Sequence, residues 1–200
     1  MNRRLLLLVP LAAAVAVSLP GGAGAGNAVQ LKIGDAVDVL NTRVACYALT
    51  SNGKDGIGCL LITSSGAPIA GSYSVGLAVD GTAVLNKVNA DGSSTHVFKK
   101  RLPAARSAAG GAVYRVKPGE SFGLPVHGDV VIGCKVLNVA SSTVAPVYRG
   151  IKVSCWYATA TRPVANTYGV SISDRMAGVF RFTSSGTVGT WGLMRQQPGS

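Results

Sequence analysis

Along much of this chain, apolar side chains fall on every second residue, the spacing that sets one face of a β-strand against a core. Tyr73, Val75, Leu77 and Val79 alternate with Ser74, Gly76 and Ala78, so the bulky residues share one face and the small ones the other. Tyr168, Val170 and Ile172 alternate in the same way with Gly169, Ser171 and Ser173. Asn52-Gly53, Asp80-Gly81, Asp91-Gly92 and Ser185-Gly186 each stand between apolar runs, which predicts two-residue hairpins whose backbone needs positive φ. No stretch after residue 26 carries the apolar period of a long amphipathic helix. The pattern predicts an all-β chain of antiparallel hairpins.

The pattern is also written twice. Leu31-Lys32-Ile33-Gly34-Asp35-Ala36-Val37 returns as Val116-Lys117-Pro118-Gly119-Glu120-Ser121-Phe122, and a cysteine pair follows each copy, Cys46 with Cys59 and Cys134 with Cys155. Tyr168 follows Tyr73 by 95 residues, Asp174 follows Asp80 by 94 and Val179 follows Val84 by 95, a register that chance rarely holds. An internal duplication is therefore expected: module one over 31–101, an Ala/Gly/Pro linker over 102–112 and module two over 113–195. The modules would pack in tandem or as one pseudo-twofold sandwich or barrel. Residues 196–200 read as a frayed tail.

Units of this size bury a modest share of their surface and gain from a covalent brace. Four cysteines allow three connectivities. Only Cys46–Cys59 with Cys134–Cys155 gives each copy the same bond. If Asn52-Gly53 is a two-residue turn, facing residues have numbers summing to 105, and Cys46 and Cys59 meet that condition. Counting outward from the turn makes them a non-hydrogen-bonded pair, with Cα atoms about 4.5 Å apart. The longer interval between Cys134 and Cys155 predicts an extended loop over 141–146.

Residues 1–25 change the picture by giving an address. Arg3 and Arg4 precede an apolar stretch over 5–19, and Ala23-Gly24-Ala25 supplies a small-x-small cleavage site, the pattern of a secretory signal. The apolar stretch is short for a membrane span and contains Pro10. The expectation is a secreted, extracellular protein whose cysteines oxidise after export. Lysine and arginine number 19 against 8 acidic residues; removing Arg3 and Arg4 leaves 17 against 8, a net charge of +9. Such an excess favours encounter with anionic wall polymers, acidic polysaccharide, nucleic acid or membrane surfaces. Lys99-Lys100-Arg101 is the dense cluster and the candidate site for an anionic polymer.

The run Thr167-Tyr168-Gly169-Val170-Ser171-Ile172-Ser173-Asp174-Arg175, followed by Val179-Phe180-Arg181-Phe182, resembles a type of small secreted module of actinobacterial proteins in which a cysteine pair precedes such a hairpin. The resemblance covers module two, and module one only loosely, because Ser72-Tyr73-Ser74 and Asp80-Gly81 depart from it. It implies secretion and a compact β unit, and no activity.

Candidate chemistry is sparse. The histidines are His96 and His127; His127-Gly128-Asp129 sets an imidazole near a carboxylate, with Ser121 close in sequence, but no Gly-x-Ser-x-Gly elbow accompanies them. The cysteines have hairpin spacing rather than metal-ligand spacing, so neither a metal nor a cofactor is expected. Glu120 is the single glutamate, and Asp80 and Asp174 read as turn residues whose carboxylates bond the local backbone. Tyr47, Tyr148, Trp156, Tyr157 and Trp191 are candidates for a sugar-stacking platform, with packing beside the disulfides as the simpler reading. Three functions follow in order: a non-catalytic binding or envelope-associated protein, a self-assembling extracellular subunit that uses its strand edges, and a secreted enzyme or inhibitor.

Overall fold

The computed structural model describes residues 28–51, 53–99, 105–106, 111–139, 150–159, 163–183 and 188–198. The expected leader, Lys100, Arg101, most of the linker, the loop over 141–146 and Ser185-Gly186 lie outside the described residues. Among the described residues there is no helix. The first half of the chain supplies β1 (Ala28–Gln30), β2 (Ala36–Val39), β3 (Val44–Ser51), β4 (Lys54–Leu61), β5 (Tyr73–Ala78), β6 (Ala83–Val88), β7 (Ser94–Lys99) and β8 (Ala105–Arg106). The second half supplies β9 (Val113–Val116), β10 (Ser121–His127), β11 (Val130–Val139), β12 (Gly150–Ala158), β13 (Tyr168–Ser173), β14 (Met176–Phe182) and β15 (Val188–Gln196). The chain is all-β, as its alternation predicts.

Two sheets form. The N-sheet runs β7-β6-β5-β4-β3-β2-β9, with β8 attached to β3, and the C-sheet runs β1-β10-β11-β12-β13-β14-β15. All neighbours are antiparallel except two: β9 lies parallel to β2, and β1 lies parallel to β10. Each half thus lends its first strand to the sheet of the other. Chain order does not follow sheet membership at β1 and β9, which a linear division at residues 31 and 113 does not express.

The core is a pair of matched rows. Across the N-sheet, Val37, Cys46, Cys59, Val75 and Leu85 stand side by side, flanked by Tyr114 and Phe98. Across the C-sheet, Phe122, Cys134, Cys155, Val170 and Val179 do the same, flanked by Val29 and Leu193. The side chains of both rows are buried or packed against the buried cluster. The β5–β6 hairpin packs on β13 and β14, so the bulky faces read from the sequence meet between the sheets as in a sandwich.

Both predicted disulfides are present, Cys46–Cys59 and Cys134–Cys155, each with Cα atoms 4.0 Å apart. Paired residues of β3 and β4 keep the sum of 105 from Ser51 opposite Lys54 to Val44 opposite Leu61. The short Cα separation fits a directly opposed, non-hydrogen-bonded pair.

The turns entering β2 and β10 are built alike. The Asp35 carboxylate accepts from the Lys32 amide at 2.8 Å and the Glu120 carboxylate from the Lys117 amide at 2.9 Å. Gly34 and Gly119 occupy the same left-handed conformation, φ 101° and 96°, where a Cβ would be strained. Asp35 and Glu120 are turn residues.

Three details differ from the expectations set by the sequence. Asp80-Gly81 and Asp91-Gly92 lie in three-residue rather than two-residue loops, closed by Ala78 N to Thr82 O and by Asn89 N to Ser93 O; glycine takes positive φ in both. The expected linker contains β8, which pairs with Thr50 and Ser51 of β3. Residues 196 and 197 of the expected tail are anchored rather than frayed, because Gln196 belongs to β15 and Gln197 is 2% exposed. An amide side chain with two partners holds them where composition alone suggested fraying.

Candidate functional site

Lysine cannot leave water without a partner at small cost, so the basic residues collect at edges, turns and outer faces. Lys99 is the last residue of β7, the terminal strand of the N-sheet, and sits opposite Val84. β7 is therefore flanked by one strand only among the described residues. Lys100 and Arg101 follow directly and lie outside the described residues. At the same end of the N-sheet the Lys54 ammonium pairs with the Asp80 carboxylate. Burial raises the Asp80 pKa, but the hydrogen bonds from Lys54 and Thr82 outweigh it and hold the carboxyl below its usual range.

A second basic feature emerges only from the sheet register. Lys87 stands opposite Tyr73 and Arg181 opposite Tyr168, and both basic side chains are exposed. The two pairs occupy matching places in the two sheets. The spacing of 94 residues between Lys87 and Arg181 is the signal in the sequence; the change of residue type hides it.

The remaining charges are distributed. Among the described residues the ion pairs are Arg43–Asp174 at 3.2 Å, Lys54–Asp80 and Lys117–Glu120 at 4.0 Å. Lys87, Arg115 and Arg181 take part in none of these and are exposed. Asp174 does not act like Asp80: it accepts from the Arg43 main-chain amide at 3.1 Å and from Arg43 Nε, which ties a turn of the C-sheet to the start of β3. Lys152, on the outer face of the C-sheet, is half-buried, and burial lowers its pKa.

The histidine constellation is not assembled. Ser121 and His127 stand at opposite ends of β10, about 20 Å apart at the rise of a strand. His127 and Asp129 are exposed at the following turn. His96 is exposed on β7 and shares a hydrogen bond of 2.7 Å with Asn86. Among the described residues no cluster of three or more potential metal ligands forms.

The aromatic residues divide between faces. Cys155 and Tyr157 point inward, and Tyr157 is 4% exposed. Its hydroxyl donates to the Ala78 carbonyl and accepts from the Gly81 amide at 3.1 Å, so it fastens β12 to the β5–β6 turn of the opposite sheet. Trp156 points to the outer face, tilted against Phe182 at 6.4 Å, and Phe180 meets Phe182 edge-on at 5.4 Å. Tyr47 is half-buried on the outer face of the N-sheet, and burial, aided by the Asp38 charge, raises its pKa. Tyr148 and the Trp191 side chain lie outside the described residues, and Tyr47, Trp156 and Tyr157 do not share one surface. Comparison with family models, with curated proteins and with solved structures finds no match.

Proposed function

We propose that this protein is a secreted, non-catalytic binding or envelope-associated protein whose basic surface meets an anionic extracellular polymer. The observation that carries the reading is the matched exposure of Lys87 and Arg181, one on each sheet, outside the ion pairs of the described residues. Lys99 ends the edge strand β7, and Lys100 and Arg101 follow it in the sequence as a dense basic cluster. A polymer carrying one charge per repeat engages several such loci at once. Displacing its counterions makes the affinity fall steeply with salt. Titration of the oxidised protein with dextran sulfate and with uncharged dextran at several salt concentrations tests this. The expected outcome is binding to the sulfated polymer alone, with a log affinity that declines linearly with log salt; equal affinity for both polymers contradicts it.

Self-assembly is the second reading. It draws support from Val113 and Leu40, 64% and 40% exposed beside the free edge of β9. Sedimentation of the protein at rising concentration separates the two: a constant monomer mass removes this alternative.

A further inference from the structure

The exchange of first strands reaches beyond a topological detail. β1 precedes β2 in the chain and yet pairs in parallel with β10, in the register Val29 opposite Phe122. β9 precedes β10 and pairs in parallel with β2, in the register Tyr114 opposite Val37. Tyr114 follows Val29 by 85 residues, and Phe122 follows Val37 by the same 85. The two exchanged pairings are thus the same pairing made twice, with donor and acceptor halves reversed. That reciprocity is the mark of an isologous interface between two like protomers.

The hydrogen bonds crossing between halves are of full length. Leu31 donates to Gly123 O at 2.7 Å, Ala36 to Ala112 O at 2.8 Å and Leu40 to Val116 O at 2.8 Å. The anchor of β9 is tight: Asp35 Oδ1 accepts from the Ala112 amide at 2.9 Å, and Gly111 lies so close to the Gly34 backbone that a Cβ there would fall 2.0 Å from it. Leu31, directly after β1, and Val116 of β9, both 1% exposed, enter the joint core with the donated strands. Without the other half, β2 and β10 would each expose a bare parallel edge beside a row of buried apolar side chains.

We propose that the chain is a fused, strand-exchanged dimer: its halves, divided between residues 107 and 110, bind each other through reciprocal donation of β1 and β9, and the bond between them is not needed for the complex. The unfilled edge of each half fits one partner, the first strand of the other half, entering in parallel. The full chain tests this when a protease recognition sequence is inserted between Ala108 and Ala109 and cut after folding. At micromolar concentration the cut protein should run as a one-to-one complex in native mass spectrometry. The amides of Leu31, Ala36 and Leu40 should keep the hydrogen-exchange protection they have in the uncut chain.

Tyr114→Pro removes a backbone donor from β9. In the cut protein it should weaken association by at least about tenfold, the effect of orphaning one ladder bond in a buried pair, and Val29→Pro should do the same from β1. Separation of the halves on cutting overturns the proposal. Loss of protection at the three amides in a complex that stays together overturns the exchange as its cause. This holds even where a proline variant fails to fold, since the protection is read without substitution.

Discussion

The side-chain amide of Gln197 pairs with the main chain of Tyr73 as a strand would: its Oε1 accepts from the Tyr73 amide at 2.7 Å and its Nε2 donates to the Tyr73 carbonyl at 3.0 Å. The Gln197 main-chain amide donates to Arg175 O at 2.8 Å, so one residue near the end of the chain joins both sheets. Gln197→Ala leaves two backbone groups of Tyr73 without these partners. It should cost about 1–3 kcal/mol, read as a lower urea midpoint with an unchanged slope. Gln197→Glu should cost at least as much, because a carboxylate then faces the Tyr73 carbonyl.

Tyr157 gives a pH signature. Burial pushes its hydroxyl well above the ordinary 10.0, so the folded protein keeps the proton that the unfolded chain releases. The stability this contributes is complete below pH 10 and is shed as pH rises above it, at up to about 1.4 kcal/mol per unit. Tyr157→Phe should abolish this part of the alkaline slope and cost about 1 kcal/mol at neutral pH, through loss of both hydrogen bonds of its hydroxyl, the Gly81 amide and the Ala78 carbonyl then keeping only their mutual bond of 3.1 Å. Chemical denaturation of both proteins between pH 7 and 11 reads both effects; parallel alkaline slopes contradict the assignment.

The two disulfides close intervals of 13 and 21 residues. Loop-closure entropy then assigns each about 3 kcal/mol. Replacing either pair by alanines should therefore lower stability by similar amounts. Peptide mapping without reduction should recover only the two within-half links.

Two glycines are set by close neighbours rather than by turns. A Cβ at Gly169 would stand 2.4 Å from the Phe180 ring, and at Gly111 2.0 Å from the Gly34 backbone. A ring can move and a backbone cannot. Gly169→Ala should cost about 1–3 kcal/mol, while Gly111→Ala should cost more and expose the β2 edge to hydrogen exchange at Ala36.

The period of two, the repeated turn and the cysteine spacing were enough to read the strand faces, both disulfides and the β3–β4 register. These are local features: once Asn52-Gly53 sets the turn, the pairing of Cys46 with Cys59 follows by counting. The parallel pairings of β1 and β9 were not legible, because strands this short carry no pairing preference of their own and their partners lie more than 70 residues away. Gln197 reads as tail because a polar residue after a strand looks solvated; only the position of Tyr73 makes it a clamp. At the candidate site, the sequence pointed to Lys99-Lys100-Arg101 by density. The pairing of Lys87 and Arg181 with tyrosines needed the sheet register to emerge.

The most direct measurement of the functional claim compares the parent with the Lys87→Gln, Arg181→Gln double variant in binding to dextran sulfate across a salt series. The electrostatic account predicts weaker binding at low salt and a shallower salt dependence, because fewer cationic side chains displace counterions from the polymer. It also predicts a nearly unchanged thermal midpoint, since exposed charges contribute little to folding. A double variant that binds as tightly as the parent, with the same salt slope, contradicts it.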